Sequence, residues 1–374
     1  MRILFLTRSV VLSGGIENVM TAKASWMAGQ GHQVLFLTYE QGMHPFSFPL
    51  NEHVVHEDLE CRYFTIYRKN AFVRPYYMLQ MFRMFRRRLK EKIDAFKPDL
   101  LVIPHNISEY LPVITSMNQY VPIVFECHST HVGLFQSGGS LAGKIKQHRL
   151  IPHIRRCSLV VSLTEADANF WRKYCKRVEA LPNPLNCYLE ALPKAVKNKG
   201  CIICAARLHQ IKRIDRLIEA FALICEKYPD WYIDIYGEGE EKDALSELIH
   251  RKNLQQRVFI KSPVSYIYSK YLTSEFLVLS SDSESFSLVL VEAMSCGIPV
   301  VAVDCPYGPA SIINNGKTGL LASPTPSSLA EKMEWMITHE EERRAMGIAA
   351  RQAAARYQKE VVMKEWEKVY RTVF

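Results

Sequence analysis

Long hydrophobic runs are missing from the start of this chain. After Met1-Arg2 the apolar stretch Ile3 to Leu6 stops at Thr7 and Arg8, too short for a secretion signal or a membrane span, and a cytoplasmic protein is expected. Paired cysteine motifs are missing too. Ten cysteines are scattered from Cys61 to Cys305, and the single Cys-x-x-Cys, Cys201 and Cys204, has no second pair at metal-ligand distance. In an extended strand its two members would point to opposite faces, which argues against a shared zinc or redox site. The cysteines read as small core residues in a reducing compartment. No internal repeat or low-complexity tract is present, so the chain does not read as a stacked array.

What is present is the composition of a globular protein: hydrophobic residues make up 48% and charged residues 23%. With 374 residues the chain is too long for one ordinary domain and suits two α/β domains, each able to bury its own core. Two domains imply a cleft between them.

The net charge of +9 is unevenly spread. Between Arg62 and Lys97 eleven Lys or Arg face only Glu91 and Asp94, an excess as large as that of the whole chain. Here Leu79, Phe82, Phe85, Leu89, Ile93 and Phe96 recur at helical spacing, while Arg83, Arg86, Arg87 and Lys90 occupy much of the other side. Two readings stand side by side. One is a core-packed helix with a solvated basic face; the other is a surface that sits on anionic lipid, helped by Tyr76, Tyr77 and Met78. No nucleic-acid-binding motif accompanies the charge, and no nucleic-acid partner is expected.

The first half alternates short β-rich runs with amphipathic segments, as doubly wound parallel sheets do. Strands are expected at Ile3–Thr7, Gln33–Thr38, Leu100–Pro104, Pro122–Glu126 and Leu159–Leu163, with helices from about Glu17, Ser108, Lys144 and Glu165. Leu181-Pro182-Asn183-Pro184-Leu185 and the polar stretch Lys194 to Gly200 place a domain linker. A second series follows: strands Cys201–Ala206, Trp231–Tyr236, Arg257–Ile260, Phe276–Ser280 and Pro299–Val303, with helices Ile214–Lys227, Glu240–Arg251 and Ser287–Cys296. The expected domains are 1–190 and 191–356, with an aromatic helix of about 357–374, carrying Trp366 and Tyr370, packing back on the first. Parallel sheets bind ligands beyond the carboxyl ends of their strands, so the loops after Thr7, Ala206, Tyr236 and Ser280 matter most.

In the loop after Ser280, Glu284 and Glu292 stand eight positions apart across the start of an apolar helix. Glu292 sits among Val289, Leu290, Val291, Ala293 and Met294, where an ionised carboxylate needs donors, and a ribose diol supplies two. The N–H groups of Phe286, Ser287 and Leu288 should point at an anion, leaving Glu284 beside the attached sugar. After the first strand, Ser13-Gly14-Gly15-Ile16-Glu17-Asn18 lets backbone approach a phosphate at a helix start. Arg207 and Lys212 follow the second domain's first strand and suit a pyrophosphate. No Asp-x-Asp pair stands in a convincing loop, so fixed cations are expected to replace a metal at the departing diphosphate. Gly237-Glu238-Gly239-Glu240-Glu241 lacks the third glycine of a dinucleotide fingerprint, and its carboxylates would repel a pyrophosphate; it reads as a tight turn with an acidic helix start. His128 falls just past the first domain's fourth expected strand.

Taken in order, these residues resemble the retaining glycosyltransferases of family 4. The resemblance runs from Gly14-Gly15-Ile16-Glu17 and Gly31-His32-Gln33-Val34 through Pro182-Asn183-Pro184, Arg207-x4-Lys212, and Tyr236-Gly237-Glu238-Gly239. It ends in Glu284-x7-Glu292 with Ala293-Met294-x2-Gly297-x-Pro299-Val300-Val301. It implies the GT-B fold, two Rossmann-like domains facing a central cleft, and transfer of a sugar from a nucleotide donor with retention of configuration. By resemblance Gly14, Gly15, Arg207 and Lys212 meet the donor phosphates, Glu292 meets ribose, and Glu284 with Phe286, Ser287 and Leu288 holds donor sugar and phosphate. His128 matches a position that touches the sugar on the reacting face; it joins Glu284, Arg207 and Lys212 as a candidate catalytic residue. Two departures stand out: the common Glu-Gly-Phe-Gly is Glu284-Ser285-Phe286-Ser287 here, and Ser311 replaces a frequent glutamate.

The expected activity is a metal-independent, cofactor-free transfer from a UDP-sugar to a lipid-linked or polysaccharide acceptor, as in capsule or lipopolysaccharide synthesis. Arg83, Arg86, Arg87 and Lys90 would dock the chain on the inner face of the plasma membrane. The alternatives are another GT-B activity, such as a sugar-nucleotide epimerase, and a non-catalytic carbohydrate- or nucleotide-binding protein.

Overall fold

A computed structural model describes residues 1–11, 14–68, 70, 72–117, 120–135, 141–185 and 198–373, and these fall into two compact units. One comprises Met1–Leu181 with Met363–Phe374, the other Pro182–Val362. The boundary expected at 190/191, and residues 194–197 of the expected linker, lie outside the described residues.

The first unit is built on seven parallel strands: β1 Arg2–Thr7, β2 Gln33–Thr38, β3 Val54–Asp58, β4 Leu100–Pro104, β5 Ile123–Cys127, β6 Leu159–Ser162 and β7 Val178–Ala180. Their order is β3-β2-β1-β4-β5-β6-β7, so the winding reverses between β1 and β4. Central strands such as Leu100-Leu101-Val102-Ile103 are buried along their length, because helices cover both faces of such a sheet. The C-terminal helix Lys359–Arg371 brings Met363, Trp366 and Tyr370, spaced three and four apart, into this unit's core with no exposed surface.

The second unit repeats the plan with six strands: β8 Cys201–Ala205, β9 Tyr232–Tyr236, β10 Val258–Lys261, β11 Phe276–Leu279, β12 Val300–Val303 and β13 Gly319–Ala322. All are parallel, in the order β10-β9-β8-β11-β12-β13, and the winding reverses between β8 and β11. Leu217, Ile218 and Phe221 of the helix Ile214–Ala222 pack beneath the sheet with Leu329, Met333 and Met336 of the helix Pro326–Thr338. Two doubly wound parallel sheets are thus the architecture expected from the alternating pattern. Three edge strands, β3, β7 and β13, were not legible. Val54–Asp58 reads Val-Val-His-Glu-Asp and is only partly buried, and an edge strand needs no continuous apolar run.

The cysteines behave as small core residues: eight of the nine described are buried, and none of the nine forms a disulfide. Cys204 lies in the second unit's core, whereas Cys201 faces Ser274 and Asp234, opposite sides of β8 as strand alternation requires.

Glycine is needed where the loops after β8 and β9 touch. The Leu208 N–H donates to the Glu238 carbonyl at 2.8 Å and Glu241 N–H to the Leu208 carbonyl at 3.1 Å. A Cβ on Gly237 would collide with the Ala206 carbonyl, and Gly239, at φ +155°, lies against the Leu208 backbone. Around Gly15 there is open space. Gly237→Ala should therefore destabilise the protein by about 1–3 kcal/mol, the usual cost of overpacking, while Gly15→Ala should not lose stability through a clash. Urea melts of the two variants check this; equal midpoints would show that the loop contact yields freely.

Candidate functional site

Because β8 and β11 are neighbours, the loops leaving their carboxyl ends meet at the reversal point of the second sheet. Lys212, from the first loop, reaches Glu284, from the second: Nζ lies 2.7 Å from Oε1. The Ser281 hydroxyl donates to the same oxygen at 2.7 Å. Backbone fastens the loops as well. Asp282 N–H donates to the Ile211 carbonyl at 2.9 Å, and the Ser280 hydroxyl to the Lys212 carbonyl at 2.9 Å. Arg216, only 3% exposed, donates to the Ser280 carbonyl at 2.7 Å and to Asp282 at 2.5 Å. Charge-assisted bonds of this kind are short and directional, so Arg216 locks the second loop against the helix that follows the first. Neither Ser281 nor Arg216 was singled out in the sequence; the Asp at 282 was the available signal for a buried arginine partner.

Glu284 is nearly buried, and Tyr307 N–H donates to its carbonyl at 2.8 Å. Phe286 and Ser287 are buried, with the Phe286 ring edge-on to Tyr357 at 5.4 Å. Ser287 is the N-cap of the helix Leu288–Ser295 but makes no side-chain capping bond. The N–H groups of Phe286, Ser287 and Leu288 form no hydrogen bond among the described residues. Unpaired N–H groups at a helix start suit an anion.

Eight residues on, Glu292 sits one face along this helix. By area it is only partly buried, yet burial of its carboxyl pushes the group up to about 7, with the Tyr271 hydroxyl, at 3.3 Å, pulling the other way. Arg207 is an exposed cation whose Nη2 lies 3.4 Å from Glu240. Glu240 also stands 3.3 Å from His209. The acidic turn after β9 therefore supplies a resting partner for Arg207. Ser311, where a glutamate is frequent, turns its hydroxyl to the Gly308 carbonyl at 2.6 Å.

In the first unit, Gly14 is the N-cap of the helix Gly15–Gly29. His128 lies beyond the carboxyl end of β5, with 2% of its side chain exposed. Its backbone N–H donates to His105 Nδ1 at 3.1 Å. Burial, reinforced by the His128 and Lys146 charges, drives His105 down to about 3, so that ring stays neutral and able to accept. His128 Nε2 lies 2.8 Å from Glu126 Oε2. The same oxygen accepts from Lys23 Nζ at 2.9 Å, and Oε1 from the Tyr370 hydroxyl. Burial alone would raise Glu126, but the Lys23 charge and the two side-chain donors outweigh it and bring it down to about 2. Lys23 is lowered to about 8 by its burial, despite Glu126.

Among the candidates of the second unit, Lys212 and Glu284 touch and Phe286, Ser287 and Leu288 follow Glu284 in the same loop, whereas Arg207 is paired with Glu240 and Glu292 with Tyr271; Gly14, Gly15 and His128 belong to the first unit, beyond the carboxyl ends of its strands. Among the described residues no three His, Cys, Asp or Glu side chains stand together as a metal-binding set.

A carboxyl raised to about 7 from its ordinary 4.5 favours folding while protonated, so its contribution is complete below about pH 4.5 and disappears as pH rises through 7. Glu292→Gln removes that loss. The variant should gain about 1–3 kcal/mol on the wild type between pH 5 and pH 8. Chemical denaturation at both pH values reads the difference, and a gap that does not widen with pH would mean Glu292 stays ionised.

Comparison with known proteins places these sites in context. Residues 13–188 match the family model for glycosyltransferase family 4, and residues 191–353 that for glycosyl transferases group 1. An uncharacterized glycosyltransferase of Haemophilus influenzae is 24% identical over 97% of this chain and 98% of its own. The N-acetyl-alpha-D-glucosaminyl L-malate synthase of Bacillus anthracis is 24% identical over 96% of this chain and 93% of its own. A variant of S. aureus TarM, solved with fondaparinux, alpha-GlcNAc-glycerol and UDP, superposes with a TM-score of 0.80 at 15% identity, covering 99% of both chains. At that identity the likeness speaks for the fold, which is GT-B.

Proposed function

This chain is a glycosyltransferase, similar to the family 4 model over residues 13–188 and to the group 1 model over residues 191–353; from that premise we propose that it moves a sugar from a UDP-linked donor to a lipid-linked or polysaccharide acceptor, with retention of configuration and without a metal. The observation that carries this is the convergence of Lys212, Glu284 and three unpaired backbone N–H groups at the reversal point between β8 and β11. It is the place where open parallel sheets bind ligands. UDP in the TarM structure supports a uridine donor.

In this reading the diphosphate lies on the N–H groups of Phe286, Ser287 and Leu288 and draws Lys212 and Arg207 to itself. Both cations hold resting carboxylate partners, Glu284 and Glu240, so phosphate enters by exchange of charge partners rather than by burying a new bare charge. Glu284, released from Lys212, turns to the sugar hydroxyls, and Glu292 accepts from the ribose diol. As the bond from the anomeric carbon to the diphosphate oxygen breaks, negative charge grows on the leaving group, and Arg207 and Lys212 stabilise it there. The acceptor hydroxyl then bonds to the anomeric carbon on the face the diphosphate leaves, and its proton passes to the departing diphosphate oxygen.

With labelled UDP-sugar and a chelator present, wild-type protein should turn over, while folded Arg207→Ala and Glu292→Ala should each lose about 10²-fold or more. UDP should raise the melting temperature more than GDP or ADP does, since a ligand bound only by the folded state stabilises it. Near wild-type turnover by either variant removes that residue from the site, and a larger shift with GDP rejects uridine.

The basic segment forms the helix Arg74–Phe96, buried through Phe85, Leu89 and Ile93. Its outward stripe runs from exposed Tyr76 and Leu79 to exposed Arg83, Arg86, Arg87 and Lys90. Leu79, expected inside, is 50% exposed and joins that stripe. Arg87 and Lys90 pair with Glu91 and Asp94 one turn on. No helix among the described residues is long and apolar enough to cross a membrane. We assign the stripe to anionic lipid, which would bring the enzyme to a lipid-linked acceptor at the membrane's inner face. Substituting Gln at all four cations, each worth about 1 kcal/mol, should weaken binding to anionic vesicles by about 10³-fold with soluble turnover largely kept; unchanged sedimentation rejects the assignment.

A further inference from the structure

Three segments far apart in the chain meet at one buried carboxylate in the first unit. Glu126 is 1% exposed, Lys23 and Tyr370 not at all. Lys23 comes from the helix that opens at Gly14–Gly15, Tyr370 from the C-terminal helix, and His128 from just beyond the end of the strand that carries Glu126. Lys23 Nζ also lies over the Trp366 ring, 2.9 Å from its centroid. We propose that Glu126 is a positioning residue for His128, held in place by Lys23 and Tyr370; the proposal rests on the reading of His128 as the residue facing the reacting sugar.

A buried ion pair loses hydration that apolar residues of the same volume would not lose, so it is poor scaffolding. Here the carboxylate takes three donors, Lys23 and His128 on Oε2 and Tyr370 on Oε1, which satisfies it only if all three stay in place. An ionised carboxylate can only accept, so His128 Nε2 must carry a proton. That decides the tautomer and the ring plane, as a carboxylate partner does for a functional imidazole elsewhere. With 2% of its side chain exposed, the ring cannot swing without breaking this contact. The orientation of His128 is thereby inherited from the Gly15–Gly29 helix and from the chain's last helix.

Glu126→Gln keeps the shape and removes the charge. It should lower kcat by about 10- to 100-fold with donor KM changed by less than about threefold, and shift the His128 imidazole ¹⁵N signals away from the Nε2-protonated pattern. Tyr370→Phe deletes one hydrogen bond and should move both readouts in the same direction by less. If Glu126→Gln does not fold, the paired change Lys23→Met with Glu126→Gln removes both charges together and carries the same measurements. In a His128→Ala background the Glu126 substitution should cost nothing further. An undiminished cost there, or an unchanged ¹⁵N pattern in the Glu126 variant, overturns the proposal. Wild-type turnover by His128→Ala alone would instead sink the reading of His128, while the ¹⁵N pattern still decides whether Glu126 sets the ring.

Discussion

The contact of Lys212 with Glu284 stands where two loops of the second unit have to agree. Glu284 is buried and Lys212 a quarter exposed, so the carboxylate depends on the cation for its partner, and each arrives from a different strand. Their meeting depends on β8 and β11 being neighbours, which follows from the winding order and not from nearness in sequence. Arg216, Ser280, Asp282 and Ile211 convert that adjacency into a fixed geometry, since they tie the loops backbone to backbone and through a buried guanidinium. The helix start beside it then presents N–H groups to the same space. The backbone ties and the buried guanidinium thus fix where the two charged side chains start from, before any ligand arrives.

The two units handle buried carboxylates in opposite ways. Glu126 is surrounded by donors, and its proton is held far more weakly than usual. Glu292 has a tyrosine hydroxyl at 3.3 Å against its burial, and its proton is held more tightly. A carboxylate already satisfied by protein suits a supporting role. One short of donors suits a ligand that brings hydroxyls with it, because the ligand then supplies what the fold withholds.

Much of the fold could be read directly. Gln33–Thr38 and Leu100–Pro104 were placed to the residue, and other interior strands to within one or two, because fully buried parallel strands are near-continuous apolar runs. The edges β3 and β7 escaped, since a half-solvated strand carries no such run, and β13 is buried but only four residues long, opening on a glycine. The helix expected over Ile214–Lys227 ends at Ala222, after which the chain closes in single turns around Cys225 and Tyr228. The glycines at 237 and 239 looked like turn residues; their reason is the backbone of the neighbouring loop, which no local pattern reports.

Residue type and spacing alone determined the alternation of strand and helix, the apolar cores, the eight-residue interval between Glu284 and Glu292, and the use of the described cysteines as small core residues. All of these are local or periodic properties that a short stretch of chain carries by itself. Only tertiary structure decided that Lys212 meets Glu284, that Arg216 pins their loops, and that Lys23, Glu126, His128 and Tyr370 share one buried cluster. Those pairings join residues as far apart as 244 positions, and they exist only because sheet order and helix packing bring distant segments into a space too dry to leave a charge alone.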